Sequence, residues 1–169
     1  MIIFFIYTHD LLQKAVKLET SLLALDKNSG SSEDMMLKLV MDESPAHEIM
    51  LKRLMNDAHA QIILNISSNY FIDTPTDLEQ VFTEFPDFRQ DRDFNLFLNM
   101  HSDWPLNYKK SVDIKIQQYL VDYICYRWLE TKAPNEAMTY KSRLAGTLDD
   151  MKRLLIRKTN PIKRQPSFP

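Results

Sequence analysis

Apolar positions recur along this chain with two periods. From Thr8 to Asn28, Leu11, Leu12, Ala15, Leu18, Leu22 and Leu25 return at helical spacing, with Thr8 or Asp10 placed to cap the start. "SPAHEIMLKRLMNDAHAQIILNISSNYF" opens with a capping serine, Ser44, then Pro45 at the first helical position and Glu48 near the third. Its apolar face is Ile49, Leu51, Leu54, Met55, Ala58, Ile62 and Ile66, and the pattern predicts a helix to about residue 69. "YKKSVDIKIQQYLVDYICYRWLETK" places Val112, Ile116, Tyr119, Leu120, Tyr123, Ile124 and Trp128 on one broad stripe. Pro134 ends that helix and opens the next, on which Ala137, Tyr140, Leu144, Leu148, Met151 and Leu155 nearly follow a three–four repeat. The last two helices therefore read as a hairpin.

Other stretches are shorter. "MIIFFIY" is apolar for six residues, which suits a short buried strand or an apolar plug. It falls far short of the roughly 20 residues that span a bilayer, and it lacks the flanks of a signal peptide, so no membrane is expected. "SSEDMMLKLVMDES" predicts a short helix capped by Ser31 or Ser32, after the loop-like "DKNSGSSED". Residues 70–108 are punctuated by Pro75, Pro86 and Pro105 and loaded with aromatic residues. They read as a structured insertion over the helices: "TPTDLEQVFTEF" suits a short helix, and "FNLFLNM" suits either a strand or a helix. The expected fold class is mostly α. It is a small helical bundle over residues 1–158, with a C-terminal hairpin, the irregular aromatic-rich insertion and an extended arm at 159–169.

Composition narrows the chemistry. Two glycines in 169 residues leave no material for glycine-rich phosphate loops and favour helices over many-hairpin sheets. The single cysteine, Cys125, excludes an internal disulfide and a multi-cysteine zinc site. The "HE" at His47 lacks the second histidine a zinc-protease helix needs, because position 51 is leucine. His47 and His59 are twelve residues apart, so they share a helix face only at distant levels. Cys125 sits among Ile124 and Tyr126 and reads as a buried structural thiol. Asp149–Asp150 and Glu33–Asp34 are sequence neighbours, which point to different sides of a helix and make no acid/base pair. No catalytic constellation is expected, and no metal or cofactor. An enzyme reading would need polar groups such as His47, His59 and Asp57 to converge in a pocket.

Charge is lopsided. Net charge is −2, yet residues 151–169 carry six basic side chains and no acid, leaving 15 basic against 23 acidic before them. Pro161, Pro166 and Pro169 keep "PIKRQPSFP" extended. Such a tail suits an arm that orders on a partner, with Ile162 and Phe168 as apolar anchors and Arg157, Lys158, Lys163 and Arg164 meeting acidic groups or phosphate. The bland reading is a frayed basic end. Tyr126, Arg127 and Trp128 cover other angles of the same helix, and a helix apolar or aromatic on more than one side marks them as candidates for burial against another subunit.

The pattern "VDIKIQQYLVDYICYRWLETKAPNEAMTYKSRLAGTLDDMKRLL" resembles the C-terminal helical pair of tailed-bacteriophage and prophage head–tail connector (adaptor or head-completion) proteins, the Mu-like group among them. Tyr123, Trp128, Pro134, Tyr140, Leu144 and Leu148 carry the resemblance, and "RKTNPIKRQPSFP" is similar to the basic extended tails of these adaptors. It covers residues 112–169, about a third of the chain, while the aromatic-rich 70–108 departs from shorter members. The resemblance implies a homo-oligomeric ring between portal and tail proteins, with DNA passing through without specific binding. It also implies assembly in the cytoplasm and residence in the virion. The alternative is a small helical nucleic-acid-binding or regulatory protein that uses the basic tail.

Overall fold

The computed structural model describes residues 2–26, 39–42, 44–66, 71–72 and 93–157. The fold is mostly helical, with one small sheet. Strand β1 (Ile2–Thr8) leads into helix α1 (His9–Asp26), and helix α2 (Pro45–Asn65) follows. After β2 (Phe71–Ile72) and β3 (Asp93–Asn99), a single 3-10 turn at Leu106–Tyr108 feeds α3 (Lys109–Leu129), which α4 (Pro134–Leu155) completes.

The apolar N-terminal run is a strand, and "FNLFLNM" supplies its partner. β3 lies at the centre of an antiparallel sheet of order β1-β3-β2, with Phe5 opposite Leu96 and Ile3 opposite Leu98. Period-two alternation points Ile3, Phe5 and Tyr7 into the core with Leu96 and Leu98. Phe4 and Phe97 pair on the other face, ring centroids 6.4 Å apart. Tyr7 ties the sheet to α3 by donating its hydroxyl to Asp113 Oδ1 at 2.7 Å. Burial, with this bond and the carboxylate's charge, pushes the Tyr7 phenol far above its ordinary range.

The helix starts follow local chemistry. Thr8 Oγ1 accepts from Leu11 N at 3.2 Å and caps α1. Ser44 caps α2, its hydroxyl accepting from His47 N at 3.4 Å, with Pro45 at the first position. Helix α2 stops at Asn65, four residues short of the expected end. The C-terminal hairpin stands as expected. Val112, Ile116, Leu120, Ile124 and Leu129 of α3 are buried against Ala137, Tyr140, Met151 and Leu155 of α4, with Leu144 and Leu148 half-buried beside them. Lys115 and Asp150 bridge the two helices at 2.9 Å. Trp104 closes the hairpin's open end, donating Nε1–H to Leu154 O at 2.9 Å.

Helix α1 departs from the leucine count. The side chains it packs inward are Leu12, Val16, Thr20 and Ala24, four residues apart each time. Leu11, Leu18, Leu22 and Leu25 are 40%, 60%, 52% and 66% exposed. The smaller row wins because Thr20 completes a tertiary bond: its hydroxyl bonds Val16 O at 2.9 Å and accepts from Met41 N at 3.2 Å. A threonine hydroxyl buried without those bonds would be unfavourable; with them it fixes which face of α1 turns inward. The expected short helices at "SSEDMMLKLVMDES" and "TPTDLEQVFTEF" fall mainly outside the described residues, as does the arm at 159–169.

Candidate functional site

Two features of α1 meet at one place. On its outer side runs the exposed leucine row; beside that row a cleft opens between α1, α3 and α4. The cleft has a volume of about 300 Å³ and is lined by Ala15, Leu18 and Glu19 of α1, Ile114, Gln117, Gln118, Val121 and Asp122 of α3, and Arg143 of α4. Its lining mixes apolar side chains with the charged groups of Glu19, Asp122 and Arg143.

Asp122 is the unusual lining residue. It sits in the apolar run "QYLVDYIC", is 4% exposed, and its Oδ2 has no hydrogen-bond partner among the described residues. Burial raises its carboxyl to about 6, Arg143 pulls it down, and Glu19 pushes it further up. Glu19 accepts from the Tyr140 hydroxyl at 3.3 Å through one oxygen, Oε2. Arg143 lies over the Tyr140 ring, 5.1 Å from its centroid. Burial drives the Tyr140 phenol and the Cys125 thiol well above their ordinary ranges; for Cys125 the charges of Glu19 and Asp122 act in the same direction. A thiol held protonated in this way is a poor nucleophile. The cleft thus offers two carboxylates to one guanidinium. Its chemistry suits holding a cationic or hydrogen-bond-donating group from outside.

A second recess, about 340 Å³, lies at the start of α1 among His9, Asp10, Gln13, Lys14, Lys17 and Glu48. His9 Nε2 is buried without a partner, and burial, with Lys52 nearby, lowers its imidazole. The other histidines are dispersed. His47 packs edge-on against Trp128 at 4.6 Å and contacts Asp42; His59 donates Nε2–H to Asn95 O at 3.1 Å and lies against Phe94. His47, His59 and Asp57 do not converge. Among the described residues no group of three or more His, Cys, Asp or Glu side chains is arranged to hold a metal ion, and no helix is long and apolar enough to cross a membrane.

The sequence-level candidates separate. Trp128 is 5% exposed and fully engaged by its own chain: Nε1–H donates to Leu39 O at 2.8 Å, and Lys132 Nζ sits 3.1 Å over the ring. Its surface is therefore taken up in the core rather than left for a neighbouring subunit. Tyr126 is half-buried and Arg127 exposed, both bonded to Glu130 one turn on. Arg157 donates to the Tyr108 hydroxyl at 2.9 Å, fastening the end of α4 to the start of α3. Lys158, Ile162, Lys163, Arg164 and Phe168 lie outside the described residues. Sequence reasoning missed Glu19, Asp122, Arg143 and the outward sense of the leucine row. The available signal was Asp122, an acid set within the apolar run "YLVDYIC". In comparisons with known proteins, no family model matches the chain, and no curated protein and no solved structure matches it either.

Proposed function

We propose that this chain is a non-enzymatic assembly subunit that works by associating with copies of itself and with neighbouring proteins of a particle, in the manner of a phage or prophage head–tail connector. The observation that carries the assembly reading is the exposed leucine row of α1. Helix α1 is apolar on its inner side, where it packs the core, and apolar again on its outer side, where nothing of the described chain covers Leu18, Leu22 and Leu25. Apolar patches of this kind on a water-exposed helix mark surfaces that other chains cover. The connector form of the reading comes from the resemblance of residues 112–169, and it has this subunit in a ring between portal and tail. A net −8 over residues 1–150 lets DNA pass such a ring without adhering, since like charge repels phosphate.

The test is imaging of the purified full-length chain beside a version truncated after Lys158, with duplex-DNA binding measured across salt. Discrete rings that the truncation weakens, with no salt-dependent DNA retention, support the reading. Tight DNA binding that weakens steeply with salt, without rings, overturns it in favour of a nucleic-acid-binding protein.

A further inference from the structure

The outward row of α1 has a spacing of its own. Exposed Leu11, Leu18, Leu22 and Leu25, with half-buried Ala15 at the edge of the core, advance as 11, 15, 18, 22 and 25, by four, three, four and three residues. Over two heptads that spacing matches a coiled-coil seam, with residues 11, 18 and 25 at one core position of the heptad and 15 and 22 at the other. The inward row advances by four each time and lies roughly opposite on the helix. Helix α1 is thus built to pack its own core on one side and to present a helix-pairing seam on the other.

The flanking charges decide what covers the seam. In this frame Lys14 and Ser21 precede core positions 15 and 22, while Glu19 and Asp26 follow 18 and 25, and Leu12, which follows 11, is buried in the chain's own core. When two such helices lie parallel and in register, each flanking residue of the first kind faces the second kind five positions on in the other helix. Lys14 then meets Glu19 of the second copy, and two-fold symmetry makes the pair twice. An antiparallel pair sets acid against acid, Glu19 and Asp26, and gives Lys14 no acidic opposite. The cleft adds to the choice. A lysine arriving at Glu19 from outside comes to the opening lined by Asp122, whose Oδ2 lacks a partner, and Tyr140 occupies only Oε2 of Glu19. Lys14 is free to leave its present contact, an exposed ion pair with Asp10 in which both side chains are at least 70% exposed.

We propose that two copies of this chain pair through α1, parallel and in register, with the Leu18–Leu22 seam closed between them and Lys14 of each copy seated beside Glu19 in the cleft of the other. The seam spans two heptads and offers on the order of 400 Å² of apolar surface per copy, the small end for specific interfaces, so the pair is reversible. A two-fold pair closes at two copies, and a ring built from this chain joins such pairs or single copies through a second, different contact. The proposal rests on the assembly reading only in that both require self-association.

Single-cysteine substitutions at the two ends of the seam report its direction. Leu11→Cys and Leu25→Cys are made separately in the full-length chain, where Cys125 is buried. Each is oxidised alone, and then the two are oxidised as a mixture. A parallel pair gives 11–11 and 25–25 disulfides and no 11–25 product; a dominant 11–25 product overturns the proposal. Sedimentation of Lys14→Glu at low salt is expected to show pairing weakened about tenfold, restored to within about threefold when Glu19→Lys is added. Lys14 is exposed, so loss of the fold does not account for that change. Oligomers that Leu18→Glu weakens but the charge swap does not touch overturn the proposal while leaving the assembly reading intact, and oligomers indifferent to both overturn both. A chain that remains at 20.0 kDa throughout overturns both.

Discussion

Replacing Asp122 by asparagine should stabilise the protein at neutral pH and leave it unchanged in acid. Asp122 is 4% exposed, and its ordinary value of 3.8 is raised to about 6, burial being the first cause and Glu19 opposing the pull of Arg143. The folded protein therefore prefers the neutral carboxyl. Below about pH 3 the group is neutral in both folded and unfolded chains and there is no penalty. As pH rises from there to about 6, the unfolded carboxyl ionises first and the folded state is progressively disfavoured. Above 6 the penalty is complete. Two pH units correspond to about 3 kcal/mol, and screening by water at the mouth of the cleft reduces this to about 1–2 kcal/mol. The amide removes the charge while keeping the shape, so Asp122→Asn should melt roughly 3–6 °C higher at pH 8. The gain should shrink through pH 6–3 and vanish at the acid end. Circular-dichroism melts of both proteins at pH 3, 4, 5, 6, 7 and 8 provide the check. A gain that is constant across pH, or a variant less stable than the natural chain at pH 8, would refute the claim that an under-compensated carboxylate sits in this cleft.

Three further outcomes follow from the same geometry. Cys125 is buried with its thiol held protonated, so Ellman's reagent at pH 8 should label it only on unfolding; rapid labelling of the folded chain would contradict its placement. Trp128→Phe should cost about 1–2 kcal/mol in urea unfolding, through the lost bond to Leu39 O, and Trp128→Ala about 3–5 kcal/mol, whereas a residue reserved for a neighbour would cost the monomer little. Gly146 is exposed in the middle of α4, and a methyl group there meets nothing within 4 Å, so Gly146→Ala should raise stability by about 0.5–1 kcal/mol in the same assay.

Local signals in the chain predicted local structure well. Ser44 followed by Pro45 marks the start of α2 because a capping hydroxyl and a fixed φ are properties of those two residues alone. The α3–α4 hairpin is legible because its stripes are long and Pro134 divides them. The sheet is only half legible. "IIFFIY" reads as a strand by itself, but its partner lies about 90 residues on, and "FNLFLNM" becomes a strand only through that pairing. The face of α1 was misleading for a physical reason: a hydrophobicity count prefers four leucines to Leu12, Val16, Thr20 and Ala24. It cannot see that Thr20 receives Met41 N. The cleft was illegible because α1 meets there a hairpin, α3–α4, that lies far along the chain. Only Asp122, an acid among Leu120, Val121, Ile124 and Cys125, hinted at it. Trp128, set apart as an interface residue by its angle on the helix, is claimed instead by Leu39, His47 and Lys132 of its own chain.

Coverage of the outer face of α1 by another chain is what the assembly proposal requires. Its most direct test is the solution mass of the full-length protein by light scattering across concentration, beside the double variant Leu18→Glu/Leu22→Glu. The mass of the natural chain should climb above 20.0 kDa with concentration and that of the variant should stay at 20.0 kDa, with both equally helical. A natural chain that is monomeric at every concentration, or a variant that associates just as strongly, would contradict it.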